Sequence, residues 1–331
     1  MRTTKTTTGL VLRATKTGEA DRALLLLTPD GLVSAMAKGA LRMRSRLFSG
    51  TGLFCYSEFV LFEGKTMHVV DAASVKQVFW GLHEDVERMA LAMYYAELAA
   101  TLSPTGEEAA AQLRLLLNSL YFLSEGKRPP RQLKAVYELR AMTLAGFMPD
   151  LVACADCAKY EGGAFCFDAM SGCLYCAACA AGRGLACNLD APALAAMRYI
   201  VFSEDAKLFS FSVSPQAARQ LGAVTQHWTL VCLNRPLRSL EFLCTVWEPG
   251  EADRKKTAEA AGSTREDGCA AAENGAAGAV PPEPQTGLRE AETAKAPEAS
   301  EAPEEPRGTP TEPEPPENPE KTKAPRAPAE Q

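Results

Sequence analysis

Cys154-Ala-Asp-Cys157 and Cys176-Ala-Ala-Cys179 are two Cys-x-x-Cys knuckles with eighteen residues between them. In each knuckle two sulfurs can converge on one ion, and the intervening loop closes the coordination sphere. This is the spacing of a tetrahedral four-thiolate zinc site, one Zn2+ per chain. Four protein ligands leave no position for a reactive water, so the expected metal organises a fold and takes no part in catalysis. The thiols must stay reduced, which predicts a cytoplasmic protein. A redox pair would instead follow a strand in a βαβ unit, whereas here helical periodicity precedes both knuckles. Cys166 and Cys173 keep a second register open, because Cys173-x-x-Cys176 is also a knuckle. The pairing of Cys176 with Cys179 is preferred, since Ser171-Gly-Cys173 reads as the turn that feeds it.

Upstream of the first knuckle the pattern is helical. From His83 onward Val86, Met89, Ala90, Met93, Tyr94 and Leu98 recur at the spacing of one helix face, which would put both methionines in the core. Thr105-Gly-Glu-Glu108 opens a second helix through Leu113, Leu116, Leu117 and Leu120, and Arg131–Phe147 reads as a third, stopped by Pro149. Downstream, helices are expected near Ala191–Ser203 and Ser214–Leu233. The first eighty residues read differently. Thr8–Arg13, Ala23–Thr28, Leu32–Ala37, Glu58–Phe62 and Met67–Val70 are short apolar runs separated by turn signals, the last two joined by the hairpin loop Glu63–Thr66. Five short strands at this spacing predict a small closed barrel, of which the OB-fold is the commonest form.

The last stretch, 251–331, is Ala, Glu, Pro, Gly, Thr and Lys with almost no large apolar residue, and holds 13 of the 22 prolines. It cannot bury enough apolar surface to offset its chain entropy and is expected to stay disordered. The predicted architecture is therefore α+β and multi-domain. An OB-fold nucleic-acid-binding barrel spans 1–80. An α-helical domain follows at 81–250, with a four-cysteine zinc ribbon inserted at about 151–187, and the tail takes up 251–331.

The tail also hides a charge asymmetry. It carries 18 acidic and 10 basic residues, against a whole-chain charge of −6. Residues 1–50 alone hold nine Lys or Arg and three acids. Lys38, Arg42, Arg44 and Arg46 fall within nine residues of Gly-containing sequence after a strand, a flexible basic loop that phosphates would favour through counterion release. With Arg13, Lys16 and Arg22 they form the candidate DNA-binding set, and Phe48, Phe54 and Tyr56 are candidate base stackers. Against enzymatic activity stand three scattered histidines, His68, His83 and His227, with no nucleophile pattern, and the lack of a phosphate-cradling Gly-rich motif. Glu19 and Asp21 beside Arg22 read as a salt-bridged turn and not as a nuclease metal site. The first twenty residues lack the apolar core of a signal peptide, and no apolar run approaches a membrane span.

Several strings, in this order along residues 5–245, resemble the bacterial DNA repair protein family RecO. They are Gly9-Leu-Val-Leu-Arg13 with Gly18-Glu-Ala-Asp-Arg22, and Ala37-Lys-Gly-Ala40 followed by Arg42, Arg44, Ser45 and Arg46. Next come Tyr137-Glu-Leu-Arg140 and Ala145-Gly-Phe-Met-Pro-Asp150 before the first knuckle, and Phe167 with Ser171-Gly172 before the second. Asn234-Arg-Pro-Leu-Arg-Ser-Leu240 resembles the family's closing signature. The resemblance implies an OB domain followed by a zinc-bearing helical domain, with Lys38–Arg46 as the DNA-binding stretch and Cys154, Cys157, Cys176 and Cys179 as ligands. It further implies binding of single- and double-stranded DNA and annealing of complementary strands. With RecR, such a protein loads RecA onto strands coated by single-strand-binding protein, in the RecF pathway. That makes it a non-enzymatic, nucleoid-associated mediator with no membrane partner.

Overall fold

The computed structural model describes residues 4–64 and 67–247. The tail expected at 251–331, and Lys65 and Thr66 of the expected hairpin loop, lie outside the described residues.

Five strands, β1 (Thr4–Thr17), β2 (Asp21–Thr28), β3 (Gly31–Ala37), β4 (Tyr56–Phe62) and β5 (His68–Gln77), close into a barrel in the order β1-β2-β3-β5-β4. All pairings are antiparallel except β3 with β5, where Ala35 faces His68 and Met36 faces Val69. That order is the OB-fold. β1 serves two neighbours: Thr4–Leu10 pairs with β4 and Leu10–Thr17 with β2. A register shift between Val11 and Arg13 lets the strand bend from one partner to the other. Val11, Leu24, Leu26, Ala35, Phe59, Leu61 and Val70 fill the barrel. On the outer face Leu10, Leu12, Leu27 and Phe54 instead join the core of the helices.

A main-chain joint fixes the barrel to those helices. Leu32 N donates to Pro104 O at 2.8 Å and Ala109 N donates to Pro29 O at 2.7 Å. Gly31 sits between them at φ +96, where a Cβ would come within 2.6 Å of Pro104 O. Only glycine fits this position.

The helices are α1 (Val86–Leu102), α2 (Ala110–Ser124), α3 (Pro130–Leu144), α4 (Ala177–Gly182), α5 (Ala191–Phe202), α6 (Pro215–Leu233) and α7 (Arg238–Trp247). Asp85, Asp190 and Ser214 cap the first turns of α1, α5 and α6, accepting from Glu87 N, Ala193 N and Ala217 N. Between α3 and α4, β6 (Asp150–Cys154), β7 (Phe165–Asp168) and β8 (Cys173–Cys176) form a small sheet in the order β6-β8-β7. The buried face of α1 departs from expectation. Val86 and Met93 are 65% and 43% exposed, whereas Leu91 and Tyr95 are fully buried. The helix lies among the barrel, α3 and α7, so residues on several sides are covered and the single-face pattern misleads.

A charged pair lies inside this core. Lys134 Nζ stands 2.7 Å from Glu138 Oε1, one turn along α3, with the two side chains 2% and 0% exposed. Tyr94 Oη donates to the same oxygen at 2.6 Å, and Thr225 Oγ1 donates to Glu138 Oε2 at 2.7 Å. The carboxylate is thereby well satisfied, as a buried charge must be.

Candidate nucleic-acid interface and metal centre

The chain between β3 and β4, residues 38–55, contains no helix or strand, yet it is held at many points. Asp21 Oδ1 accepts from Gly39 N at 2.7 Å and Ala20 O from Leu41 N at 2.8 Å. Arg22 Nη1 donates to Phe48 O and Thr51 Oγ1, both at 3.2 Å. Thr51 Oγ1 donates to Leu47 O at 2.6 Å and Ser57 Oγ to Gly50 O at 3.0 Å. Ala40 and Leu47 anchor the segment in the barrel core. Gly50 lies against β5, where a Cβ would stand 2.8 Å from Ala73 Cβ. What projects from this frame is cationic: Lys38, Arg42, Arg44 and Arg46 are exposed, as is Met43 between two of the arginines. None of the four forms an ion pair among the described residues.

The remaining candidates separate. Lys16 pairs across the ladder with Arg22, on the strand face that lines the barrel, so both belong with the loop. Arg22 is half-buried and serves first as a brace, its guanidinium 5.3 Å from the centre of the Phe48 ring. Arg13 pairs with Leu25 on the opposite face and lines a cleft against α1 with Glu97. Of the three aromatic candidates only Phe48, 51% exposed, is available for stacking. Phe54 is buried in the helix-facing core and Tyr56 packs against it, because the β3–β4 segment returns to the barrel there. Asp21, expected in a salt-bridged turn with Arg22, is instead the pin for Gly39. The signal for that role was its place at the start of β2, beside the end of β3, with Arg22 facing Ala37 in the ladder.

The four knuckle cysteines come together. Their sulfurs all lie within 4.8 Å of one another, Cys157 Sγ being 3.6 Å from Cys176 Sγ. Cys166 and Cys173 stand outside the group; burial pushes the Cys166 thiol up, and Cys173 Sγ donates to Ser171 O. Each knuckle sits where a strand ends. Cys154 closes β6 and turns through Ala158, at φ +56, while Cys176 closes β8 and begins α4, on which Cys179 lies. Burial works against ionising Cys154, but backbone N–H groups of Cys176, Cys157 and Asp156 outweigh it and bring the thiol down to about 6. Cys179 moves the other way, to about 12, under its sulfur neighbours Cys176 and Cys157. Cys176 is also brought down, chiefly by the Cys179 backbone N–H, whereas Cys157 is pushed up beside its sulfur neighbours. Two thiolates are thus favoured by the fold and two are resisted, a donor set that a cation would complete. The arrangement is compatible with a metal-ion site. Outside the sulfurs, Arg183 joins the two knuckles, donating to both carboxylate oxygens of Asp156 at 2.8 and 2.6 Å and lying 4.5 Å from the Tyr175 ring centre. Sequence reasoning missed this staple, though Asp156 and Arg183 sit within or just beyond the two knuckles.

Comparison with known proteins covers both parts. A family model described as Recombination protein O N terminal matches residues 1–79, and one described as Recombination protein O C terminal matches residues 83–241. A DNA repair protein RecO from Acetivibrio thermocellus is 35% identical over 241 residues, which is 72% of this chain and 96% of the relative. One from Symbiobacterium thermophilum is 31% identical over 242 residues, again 72% and 96% of the two chains. One from Alkaliphilus metalliredigens is 29% identical over 230 residues, 69% of this chain and 94% of the relative.

Proposed function

Because this chain belongs to the RecO family of DNA repair and recombination proteins, we propose that it is a recombination mediator without catalytic chemistry of its own. It binds single- and double-stranded DNA, anneals complementary strands and, with RecR, helps RecA load onto DNA coated by single-strand-binding protein, alongside RecF. The observation that carries this reading is the set of cations Lys38, Arg42, Arg44 and Arg46, without ion-pair partners among the described residues, standing out from a braced segment of an OB barrel. Lys16 and Arg22 extend the basic surface, whereas Arg13 stands apart from it, in the cleft against α1. Phosphates neutralised there repel each other less, so complementary bases can meet, and pairing is downhill once they do. No hydrolysis is needed for that step.

Zn2+ is the ion best suited to the sulfur cage. Thiolates about 2.3 Å from a tetrahedral zinc lie about 3.8 Å apart; the Cys157 and Cys176 sulfurs are 3.6 Å apart and all four lie within 4.8 Å. An all-thiolate set favours a soft or borderline ion. Bound there, it would be structural, bracing residues of about 151–187 within a helical domain of 81–250, behind a DNA-binding domain of 1–80. The protein would work in the bacterial cytoplasm, on the nucleoid. Among the described residues no helix is long and apolar enough to cross a membrane. The test is a fluorescence annealing assay on complementary strands coated by single-strand-binding protein, with and without RecR. Annealing faster than the protein-free control supports the reading; material that ignores oligonucleotides even in dilute buffer refutes it.

A further inference from the structure

Far along the chain from the basic loop, α3, α6 and α7 enclose a half-open groove of about 490 Å³. Arg131, Lys134, Arg219 and His227 line it, and no carboxylate does among the described residues. Lys134 is 98% buried, yet it also lines the groove. Its ammonium has three N–H donors. One meets Glu138, and Tyr94 offers a ring face 5.6 Å away, so a donor is left for a ligand. The Arg131 guanidinium carbon lies 4.5 Å from the centre of the Trp247 ring. Among the described residues neither Arg131 nor Arg219 has an ion-pair partner. At Gly222 the wall of α6 is open, with nothing within 4 Å of where a Cβ would be. A buried ammonium with a spare donor, flanked by two unpaired guanidiniums, calls for an anion presenting several oxygens.

We propose that this groove binds the phosphodiester backbone of a second nucleic-acid strand, so that one chain holds one strand on the barrel loop and another against its helices. The inference rests on the mediator reading, which gives the protein two polyanions to bring together and, in Lys38–Arg46, a place for one. A guanidinium and a point-charge ammonium together match the oxygens of a phosphate.

The test uses the full-length protein. A labelled oligodeoxynucleotide on beads is saturated with protein, and capture of a second, non-complementary strand from solution is measured. Because no pairing is available, capture reads the second site alone. Wild type should capture, and Arg131→Gln with Arg219→Gln should lower capture about ten-fold while first-strand affinity stays within about two-fold. Arg219→Gln alone, on an exposed helix position, should lower capture about three-fold with unchanged thermal melting, which separates the effect from misfolding. Undiminished capture by the double variant overturns the proposal. So does a groove that takes polyglutamate in place of DNA, since the occupant is then an acidic protein. So, too, does capture that appears only after residues 251–331 are removed, since the occupant is then the chain's own acidic extension. A protein that holds a first strand but never a second overturns this inference and leaves the mediator reading standing; one that holds neither overturns both.

Discussion

The basic loop and the knuckle segment are both largely turns, and they are fixed by different means. Residues 38–55 are held by a hydrogen bond to Asp21, by hydrogen bonds from Arg22, Thr51 and Ser57, and by Gly50 set against β5. All of these contacts are internal to the chain. The knuckles have short strands and one ion pair, Asp156 with Arg183, but their centre is four sulfurs that resist being charged together. One segment carries its frame with it; the other is a sulfur cage compatible with a metal ion.

The sharpest break in that comparison comes from the cage. Cys176→Ser with Cys179→Ser should abolish metal content, about one zinc per chain in the parent. The loss should remove much of the roughly 10–16 kcal/mol that such a site contributes in small modules. Metal analysis with thermal melting should show the helical part unfolding early while strand circular dichroism persists; retained stoichiometry would move the ligands to Cys166 and Cys173. Next in size is Arg42→Ala with Arg44→Ala and Arg46→Ala. DNA affinity should fall tens of fold at low salt for every sequence tried, and the slope of log K on log salt should flatten by about 2 on single strands. Melting should not move, and an unchanged slope would clear the loop of phosphate contact. The smallest and most discriminating change is Arg22→Ala. It deletes two brace contacts, at about 1 kcal/mol each, so stability and affinity should drop together. Lys38→Ala should lower affinity alone, and if Arg22→Ala did likewise the brace would be dispensable.

Much of this was legible in the sequence, and the gaps have physical causes. The barrel strands were visible wherever one face is apolar. β1 and β5 run past their apolar stretches, because Thr4–Thr7 and Ala72–Gln77 are largely exposed and show no alternation. The closing order was not readable, since β3 and β5 share only two paired positions. α1 was found, and Ala90, Tyr94 and Leu98 of its expected face are buried, but Val86 and Met93 are exposed while Leu91 and Tyr95 are covered, because a helix packed from several sides has no single stripe. The strands of the small sheet are four or five residues long, too short for periodicity to register. The sulfur cage was the most legible site, since ligand spacing is a local constraint. The basic residues were legible as charge; that Arg22 braces and Arg13 faces α1 depended on ladder register, which charge alone does not encode.

The joint at Gly31 has one more consequence. Backbone groups tie the β2–β3 turn to the α1–α2 connection, in addition to the packing of Leu10, Leu12, Leu27 and Phe54 against the helices. Tension on a tethered filament at the barrel would pass straight into the helical block instead of being absorbed by a swivel. The molecule should thus respond to pulling as one stiff lever, so long as residue 31 keeps no side chain and the apolar seam beside it stays filled.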